Sequence, residues 1–459
     1  MGRIRRVLIA NRGEIAVRII KACKALGVEA VAALSEADRE SLPGQMADRV
    51  VCIGPAKPAG SYLNVGAIVM AAVGTGADAI HPGYGFLAEQ PSLPEACARY
   101  GLTFIGPTAE NIRNMGDKLL ARKLADELGI PVIPGSAEVG DVPQASVVAE
   151  KLGYPVLIKA AAGGGGRGMK IAEQPEDLKT AFYTALAEAG TAFGDARLYL
   201  EHYIRNARHV EVQVLGDRFG NLIHLYERDC SLQRRYQKLV EEAPSPVLSA
   251  ELREKICAAA VRITSHIRYE NAGTVEFILD RDRGEFHFLE MNTRIQVEHP
   301  VTEMVTGIDL VQEQIRIASG EPIRHSQNRI SLQGHAIECR INAESPEDGF
   351  RPCPGAIREW APPQAPGVRV DTHCYTGYFV PPHYDSLLAK VIAAGKDRTE
   401  AIDRMRVGLD NFRVAGVDTS IPLYKCITRH PDYAKGNVNT KWVEEILLNQ
   451  GREKAPARH

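Results

Sequence analysis

Residues 273–300 read GTVEFILDRDRGEFHFLEMNTRIQVEHP, and this stretch decides how the rest of the chain is interpreted. Two largely apolar runs, 274–279 and 285–291, flank a polar turn that ends in glycine, which is typical of a β-hairpin. Pairing about the turn places Glu276 nearly opposite Glu290, where two carboxylates about 5 Å apart repel each other. A divalent cation between such hard oxygen ligands removes the repulsion, so the hairpin predicts a Mg²⁺ site.

The residues after the turn alternate with a period of two. Because strand side chains point to opposite faces in turn, one face is apolar, with Leu289, Met291, Ile295 and Val297. The other face carries a polar row, composed of Glu290, Asn292, Arg294, Gln296 and Glu298. A solvated surface is the plain alternative, but the apolar and aromatic hairpin before this row favours a cleft.

Length and composition limit the class of protein. A chain of 459 residues with 45% hydrophobic and 24% charged residues fits a globular protein of two to four domains. A net charge of −2 predicts neither a nucleic-acid nor a membrane partner. The nine cysteines form no CxxC pair, and the first apolar run is too short for a signal peptide. We therefore expect reduced thiols, no zinc site and a cytoplasmic location.

The first part of the chain predicts a parallel sheet. A strand at 6–10, a helix that ends near Leu26 and a strand at 28–34 make a βαβ beginning. The GxGxxG fingerprint is missing from this beginning, so NAD binding is not predicted.

A glycine-rich stretch, KAAAGGGGRGM at 159–169, lies between two strand-like runs. Four successive glycines cannot form an ordered strand interior and suit a loop whose N–H groups close over phosphates. Lys159 and Arg167 would supply positive charge beside it. A flexible linker is the alternative, and the GK[ST] ending of a Walker A loop is absent.

Three further segments carry polar residues in strand-like or loop-like contexts. Glu201 lies in an apolar run at 198–203, where it accepts from a nucleobase or ribose or pairs with an arginine. The charged run at 227–238 is typical of a solvated loop. A polar connector at 320–330 marks a domain boundary, and an alternating strand at 334–342 follows it with Arg340 on its polar face.

The chain resembles the biotin carboxylases, ATP-dependent enzymes with an ATP-grasp fold. The resemblance runs essentially end to end and rests on IANRGEIA at 9–16, HPGYGFL at 81–87, KAAAGGGGRGM at 159–169, ERDCS at 227–231, EEAP at 241–244, EMNTRIQVEH at 290–299 and YDS at 384–386. It implies an α/β and α+β fold with three domains. These are a Rossmann-like N-terminal domain at 1–115, an ATP-grasp domain at 116–330 with a mobile lid at about 132–203, and a C-terminal domain at 331–450.

The resemblance also implies roles for individual residues. The positions that match ATP contacts are Lys118, Lys159, Gly165, Gly166, Glu201, His209, Gln233 and Tyr236, the last standing where the family has a histidine. Those that match the ligands of Mg²⁺ or Mn²⁺ are Glu276, Glu290 and Asn292. Those that match the bicarbonate site are Lys238, Arg294, Gln296, Val297 and Glu298. Arg340 matches the arginine that serves the biotin ureido group.

The chemistry implied by the resemblance has two stages. Bicarbonate, deprotonated by Glu298, attacks the γ-phosphate of ATP to give carboxyphosphate, which Lys238 and Arg294 hold. Carboxyphosphate then yields CO₂ and phosphate, the phosphate takes the biotin N1′ proton, and Arg340 stabilises the enolate-like oxygen.

The resemblance further implies partners. The sequence has no Met-Lys-Met, the tripeptide that carries biotin, so we expect biotin on a separate biotin carboxyl carrier protein. A carboxyltransferase subunit and a homodimer are also implied. Acetyl-CoA, and hence fatty acid biosynthesis, is the favoured destination, with pyruvate or propionyl-CoA as alternatives. An ATP-grasp ligase for another carboxylate and a non-catalytic nucleotide-binding subunit are the remaining rivals.

Overall fold

The structure of the protein is a computed structural model, and it describes residues 3–162 and 168–448. Its N-terminal region is a parallel five-stranded sheet of order β3-β2-β1-β4-β5 with helices against it. The elements are β1 (Arg6–Ile9), α1 (Gly13–Ala25), β2 (Glu29–Ser35), α2 (Leu42–Met46), β3 (Arg49–Gly54), α3 (Val65–Thr75), β4 (Ala79–His81), α4 (Ser92–Arg99), β5 (Thr103–Phe104) and α5 (Ala109–Gly116). All strands of this sheet pair in parallel, which confirms the predicted parallel sheet. The strand order is Rossmann-like.

Both faces of this sheet are buried, as the continuous apolar run of β1 requires. Val7 and Ile9 pack into one core with α1, whereas Leu8 and Ala10 pack into another core on the opposite face. At the carboxyl end of β1, Asn11 Nδ2 donates to the carbonyls of Pro82 and Tyr84, 2.7 Å away in each case. This contact fixes the turn after β4 against the turn after β1.

The central region begins with a small sheet of order β7-β6-β8, which packs on two helices. A larger antiparallel sheet and its covering helices follow. The elements are α6 (Lys118–Glu127), α7 (Val142–Leu152), β6 (Val156–Ala160), β7 (Met169–Ala172), α8 (Pro175–Phe193), β8 (Leu198–His202), β9 (Ala207–Gly216), β10 (Leu222–Arg234), β11 (Gln237–Ala243), α9 (Ala250–His266), β12 (Asn271–Asp280), β13 (Glu285–Asn292), α10 (His299–Thr306) and α11 (Leu310–Ala318).

The C-terminal region completes the larger sheet, whose order is β13-β12-β9-β10-β11-β14-β21-β19. Its apolar face packs on α12 through Ile337, Cys339 and Ile341. The elements are β14 (His335–Asn342), β15 (Glu344–Ser345), β16 (Arg351–Pro352), β17 (Gly355–Ala356), β18 (Glu359–Ala361), β19 (Val368–Thr372), β20 (Phe379–Val380), β21 (Leu387–Gly395), α12 (Arg398–Asn411), β22 (Arg413–Ala415), α13 (Ile421–Arg429), α14 (Pro431–Ala434) and a π-helical segment, Val443–Leu448. Within the described residues, no helix is long and apolar enough to cross a membrane.

The charged run at 227–238 is not the solvated loop that its composition predicts. Most of it belongs to β10 and β11, and β10 is hydrogen-bonded to β9 on one side and β11 on the other. Residues 227–233 are buried. The prediction was wrong because the charges of this run are compensated by partners distant in sequence, such as Arg253 for Glu227 at 2.8 Å.

Candidate active site

The hairpin β12–β13 has the predicted register. Glu276 is directly opposite Glu290 across the ladder. Glu276 accepts hydrogen bonds from Asn292 Nδ2 at 2.7 Å and from Gln296 Nε2 and Lys238 Nζ at 2.9 Å each. The repulsion between the opposed carboxylates is thus relieved by these donors to Glu276 and by Lys118 Nζ, which lies 2.6 Å from Glu290.

The polar row after the hairpin is partly different from the prediction. The strand ends at Asn292, and residues 293–298 form bends and turns that lead into α10. Ile295 is buried in the core, but Val297 lines the cleft with the polar residues instead of facing away. The predicted alternation was wrong at Leu289, which lies at a β-bulge and lines the cleft, and again beyond Asn292, where the chain leaves the sheet. The polar residues nevertheless remain together.

The cleft is a cavity of about 250 Å³. It brings together most of the predicted site residues, namely Lys118, Lys159, His209, Tyr236, Lys238, Glu276, Glu290, Asn292, Arg294, Gln296, Val297, Glu298 and Arg340. Gln233 is buried on β10 and Glu201 on β8, and neither lines this cavity. Gly165 and Gly166 lie outside the described residues.

Lys238 lies at the centre of the acidic groups. Its Nζ donates to Glu211, to Glu276 at 2.9 Å and to Glu298 at 2.6 Å. Burial opposes the charge on this ammonium group, but Glu211 and the other carboxylates outweigh burial and raise the Lys238 pKa well above its usual value. Lys238 is therefore a fixed cation between Glu276 and Glu298.

The sequence analysis did not identify Glu211 and Arg228, which hold the groups around Lys238 in place. Arg228 is completely buried and its Nε donates to Glu211 at 2.6 Å. Its Nη2 donates to Gln296 Oε1 at 2.9 Å. Arg228 thus fixes both a partner of Lys238 and the side chain of Gln296. The ERDCS motif was the available signal, but its interpretation as a loop concealed it.

Arg340 joins β14 to the acidic centre. Its Nε donates to Glu241 Oε1 at 2.6 Å, and its Nη2 donates to Glu298 Oε2 at 2.9 Å. Burial opposes ionisation of Glu298, but Lys238 and Arg340 lower its pKa below the usual value. Glu298 is therefore an anion that is able to accept a proton.

A second cavity, of about 370 Å³, begins where the first one ends. The two cavities share Lys238, Val297 and Arg340 in their walls. The rest of the second cavity is lined mainly by residues of the turns after β1 and β4 and of the segment 385–387. A molecule in either cavity therefore meets the same arginine.

The strands β6 and β8 determine the surroundings of Lys159. Lys159 Nζ donates to Glu201 Oε2 at 2.9 Å, and Arg122 Nη1 donates to Glu201 Oε1 at 3.0 Å. Of the two interpretations of Glu201, the structure contains the pairing with basic side chains. The carboxylate holds Lys159 at the edge of the first cavity.

The wall around Arg294 includes a residue of the N-terminal region. Arg294 Nε donates to Glu89 Oε2 at 2.8 Å, and its Nη2 donates to Asn292 Oδ1 at 3.0 Å. No sequence motif distinguished Glu89. Its contact orients Arg294 along the cleft and ties the N-terminal region to the hairpin.

The donor set fits a hard divalent cation. Glu276 and Glu290 present opposed carboxylates, with an amide from Asn292 beside them. His209 Nε2 is buried, makes no hydrogen bond within the described part of the chain and lies 3.2 Å from Glu276. Burial opposes protonation of His209, but Glu276 outweighs it and raises the His209 pKa to about 9. The negative charge of the carboxylates in this site is thus balanced by nearby cationic side chains.

The site has lysine side chains over a pair of acidic residues, and it lies between a small three-stranded sheet and a larger antiparallel sheet. This arrangement is that of an ATP-grasp ligase. Three family models match the chain. They are "Biotin carboxylase, N-terminal domain" at 3–112, "Carbamoyl-phosphate synthase L chain, ATP binding domain" at 117–326, and "Biotin carboxylase C-terminal domain" at 338–445. The chain belongs to the biotin carboxylase family, and it is an ATP-dependent ligase.

Similar proteins cover nearly the whole chain. The biotin carboxylase of Nostoc sp. is 52% identical over 96% of this chain and 99% of its own length. A pyruvate carboxylase subunit of Methanothermobacter thermautotrophicus is 50% identical over 96% of this chain and 89% of its own length. The biotin carboxylase domain dimer of Hydrogenobacter thermophilus 2-oxoglutarate carboxylase, solved with MgADP, ADP and bicarbonate, has a TM-score of 0.94. It is 48% identical, covering 97% of this chain and 98% of that one.

Proposed function

We propose that the enzyme carboxylates biotin on a separate biotin carboxyl carrier protein, using ATP and bicarbonate and forming carboxyphosphate. The observation that carries this proposal is the junction of two cavities at Lys238, Val297 and Arg340. A nucleotide in the first cavity and a ureido ring in the second would meet there. An anion between them would contact the Lys238 ammonium and the Arg340 guanidinium.

The nucleotide is assigned to the first cavity. Lys118 and Lys159 would bind its phosphates, with His209 and Tyr236 in the same wall. Glu201 would act through Lys159, which it holds at 2.9 Å. The roles of Gln233, Gly165 and Gly166 toward ATP follow from family resemblance.

Mg²⁺ or Mn²⁺ would be held by Glu276 and Glu290, with Asn292 beside them. The bound ion would neutralise charge on the transferred phosphoryl group. Because Lys238 and Asn292 already contact Glu276, this carboxylate is oriented before the ion arrives. The chain thereby preorganises one ligand of the cation.

Bicarbonate is assigned to the space near Lys238, Arg294, Gln296, Val297 and Glu298. Glu298 would remove the bicarbonate proton, and the resulting oxyanion would attack the γ-phosphate of ATP. Arg294 and Lys238 would hold the anionic product, carboxyphosphate. Glu298 suits the role of base because Lys238 and Arg340 keep it ionised and fix its orientation.

Biotin is assigned to the second cavity. Carboxyphosphate at the junction of the two cavities would break down to CO₂ and phosphate, and the phosphate would remove the N1′ proton of biotin. Arg340 would stabilise the negative charge that develops on the ureido oxygen. The ureido nitrogen would then attack CO₂ to give carboxybiotin.

The assembly and its acceptor are proposed from relatives. A carboxyltransferase subunit would transfer the carboxyl group to an acceptor, with acetyl-CoA favoured and propionyl-CoA or pyruvate as alternatives. The relatives named above include a pyruvate and a 2-oxoglutarate carboxylase component, so family membership alone does not select the acceptor. We also propose a homodimer, as in the H. thermophilus structure, and a cytoplasmic location.

The domain division remains a proposal as well. We place the boundaries near residues 115 and 330, with the lid at about 132–203. The family models support this division because their gaps fall at 113–116 and 327–337.

Phosphate release from MgATP tests the function directly. We expect release to require bicarbonate and to increase when free biotin is added. Release that ignores both additions would contradict the proposal and favour a ligase for another carboxylate. Mass spectrometry of a biotinylated carrier protein would then identify the carboxylated product.

A further inference from the structure

Two buried glutamates face each other behind Arg340. Glu241 on β11 is the register partner of Glu338 on β14, and both are 0% exposed. Arg340 contacts Oε1 of Glu241 only. Oε2 of Glu241 and both carboxylate oxygens of Glu338 are buried and have no hydrogen-bond donor among residues 3–162 and 168–448. Two directly opposed, buried carboxylates cannot both remain charged at low cost.

The groups around Glu338 do not neutralise it. Lys390 on β21 is the cation that most opposes the shift of the Glu338 pKa, but its Nζ donates to the Val297 carbonyl at 2.9 Å and lies 3.1 Å from Glu14. Directly opposite Glu338 on the β21 side is Ile392. The remaining charged groups that act on Glu338 are Arg340 on the same strand and Glu298, which immediately precedes α10.

The pKa values of the two glutamates agree with this geometry. Burial, opposed by Lys390 but reinforced by Glu241, raises the pKa of Glu338 well above its usual value. Burial also raises the pKa of Glu241 to about 7, although Arg340 opposes the shift. The pair therefore retains a proton in the pH range where the enzyme would work.

We propose that Glu338 is a positioning residue for Arg340, because its neutral carboxylic acid donates an O–H hydrogen bond to the free Oε2 of Glu241. The pair then carries one negative charge, and Glu241 holds the guanidinium through its other oxygen. Loss of the proton would give the pair of glutamates a second negative charge. This charge would compete with Glu298 for the Arg340 guanidinium. This inference rests on the proposed role of Arg340 toward biotin.

The first test is infrared spectroscopy on the protein without substrates. We expect a carboxylic-acid C=O band at neutral pH that Glu338→Gln removes and that Glu347→Gln, at an exposed position of the C-terminal region, leaves in place. Absence of any such band from the unsubstituted protein would overturn the proposal without a variant. Persistence of the full band in Glu338→Gln would also overturn it.

The second test is the pH profile of two activities. With biotin, kcat/KM should decline above the ionisation of the pair, by up to about tenfold per pH unit, and Glu338→Gln should remove that decline. Bicarbonate-dependent ATP cleavage without biotin should differ less between the two proteins than the biotin reaction does, because Lys238 still holds Glu298. Identical biotin profiles for the two proteins would overturn the inference. Loss of bicarbonate dependence in the unsubstituted enzyme would instead contradict the proposed function, and the infrared result is independent of it.

Discussion

Lys118 Nζ lies 2.6 Å from the carboxylate of Glu290, so a lysine neutralises one of the two carboxylates that the hairpin brings together. Lys238 neutralises the other, Glu276, at 2.9 Å. A bound cation would take over this neutralisation. Lys118 would then be released toward the phosphates of ATP, which links the metal and the nucleotide through one side chain.

Glu290→Gln should therefore weaken the metal site selectively. Removing a charged ligand should raise the Mg²⁺ concentration needed for half-maximal phosphate release by roughly 10–100-fold, by comparison with losses at supporting residues of metal sites. The measurement is a Mg²⁺ titration of bicarbonate-dependent ATP cleavage. Glu285→Gln, at the exposed start of the same strand, is the matched control. An equal shift in both variants would argue against a metal role for Glu290.

Arg340→Ala should separate the two stages of the reaction. Biotin carboxylation should be lost, because the ureido oxygen loses its guanidinium, while bicarbonate-dependent ATP cleavage should be partly retained. Carboxybiotin formation and phosphate release, measured on the same samples, test this difference. Equal loss of both activities would mean that Arg340 is needed mainly to hold Glu241 and Glu298 in place.

Arg228→Met should reduce stability, because it removes one of the two cations that compensate the fully buried Glu211 and leaves only Lys238 beside it. Breaking such a pair typically costs about 3–5 kcal/mol. Urea unfolding measures the loss, and Arg281→Met at an exposed position is the control. Adding Glu211→Gln should recover some of the loss. If the double variant were as unstable as the sum of the single ones, the pair would not be the cause.

The pH dependence of stability should reveal Glu242. Burial opposes its ionisation, but His335 at 2.8 Å and Arg398 at 2.6 Å outweigh burial and lower its pKa to about 2. A lowered pKa in the folded state adds stability above the unfolded-state pKa of about 4.3, and this stability is lost as the pH falls toward 2. The contribution is about 3 kcal/mol.

Unfolding free energies at pH 7, 4 and 3 should therefore decline less in Glu242→Gln than in the unsubstituted protein. Glu254→Gln, on the exposed side of α9, should decline as the unsubstituted protein does. Parallel curves for Glu242→Gln and the unsubstituted protein would show that Glu242 has an ordinary pKa in the folded state.

The sequence predicts the features of this site that depend on neighbours in the chain. The turn sets the pairing from Asp280 to Phe277, and a β-bulge at Leu289, which the alternation did not predict, then places Glu290 directly opposite Glu276. The two-residue period fails after Asn292, because tertiary contacts bend the chain toward α10. The lid glycines Gly165 and Gly166 lie outside the described residues, so their predicted role stays a prediction.

Contacts between distant residues were not predictable from patterns. Arg228 and Glu211 occupy strands whose polar residues suggest a surface, yet both are fully buried. Each is stabilised there by the other, and Arg228 also donates to Thr302, which lies 74 residues further along the chain. A periodicity argument assigns polar residues to solvent and has no means of recognising a charge that is buried with its counter-charge.

The ladder between β11 and β14 has a consequence for how the protein can be divided. It joins the central and C-terminal regions into a single continuous sheet, although a sequence boundary separates them. Fragments produced by cutting the chain near residue 330 would each expose an unpaired inner strand, and such edges recruit other strands. Split versions of this enzyme should therefore either reassemble when produced together or aggregate when produced alone.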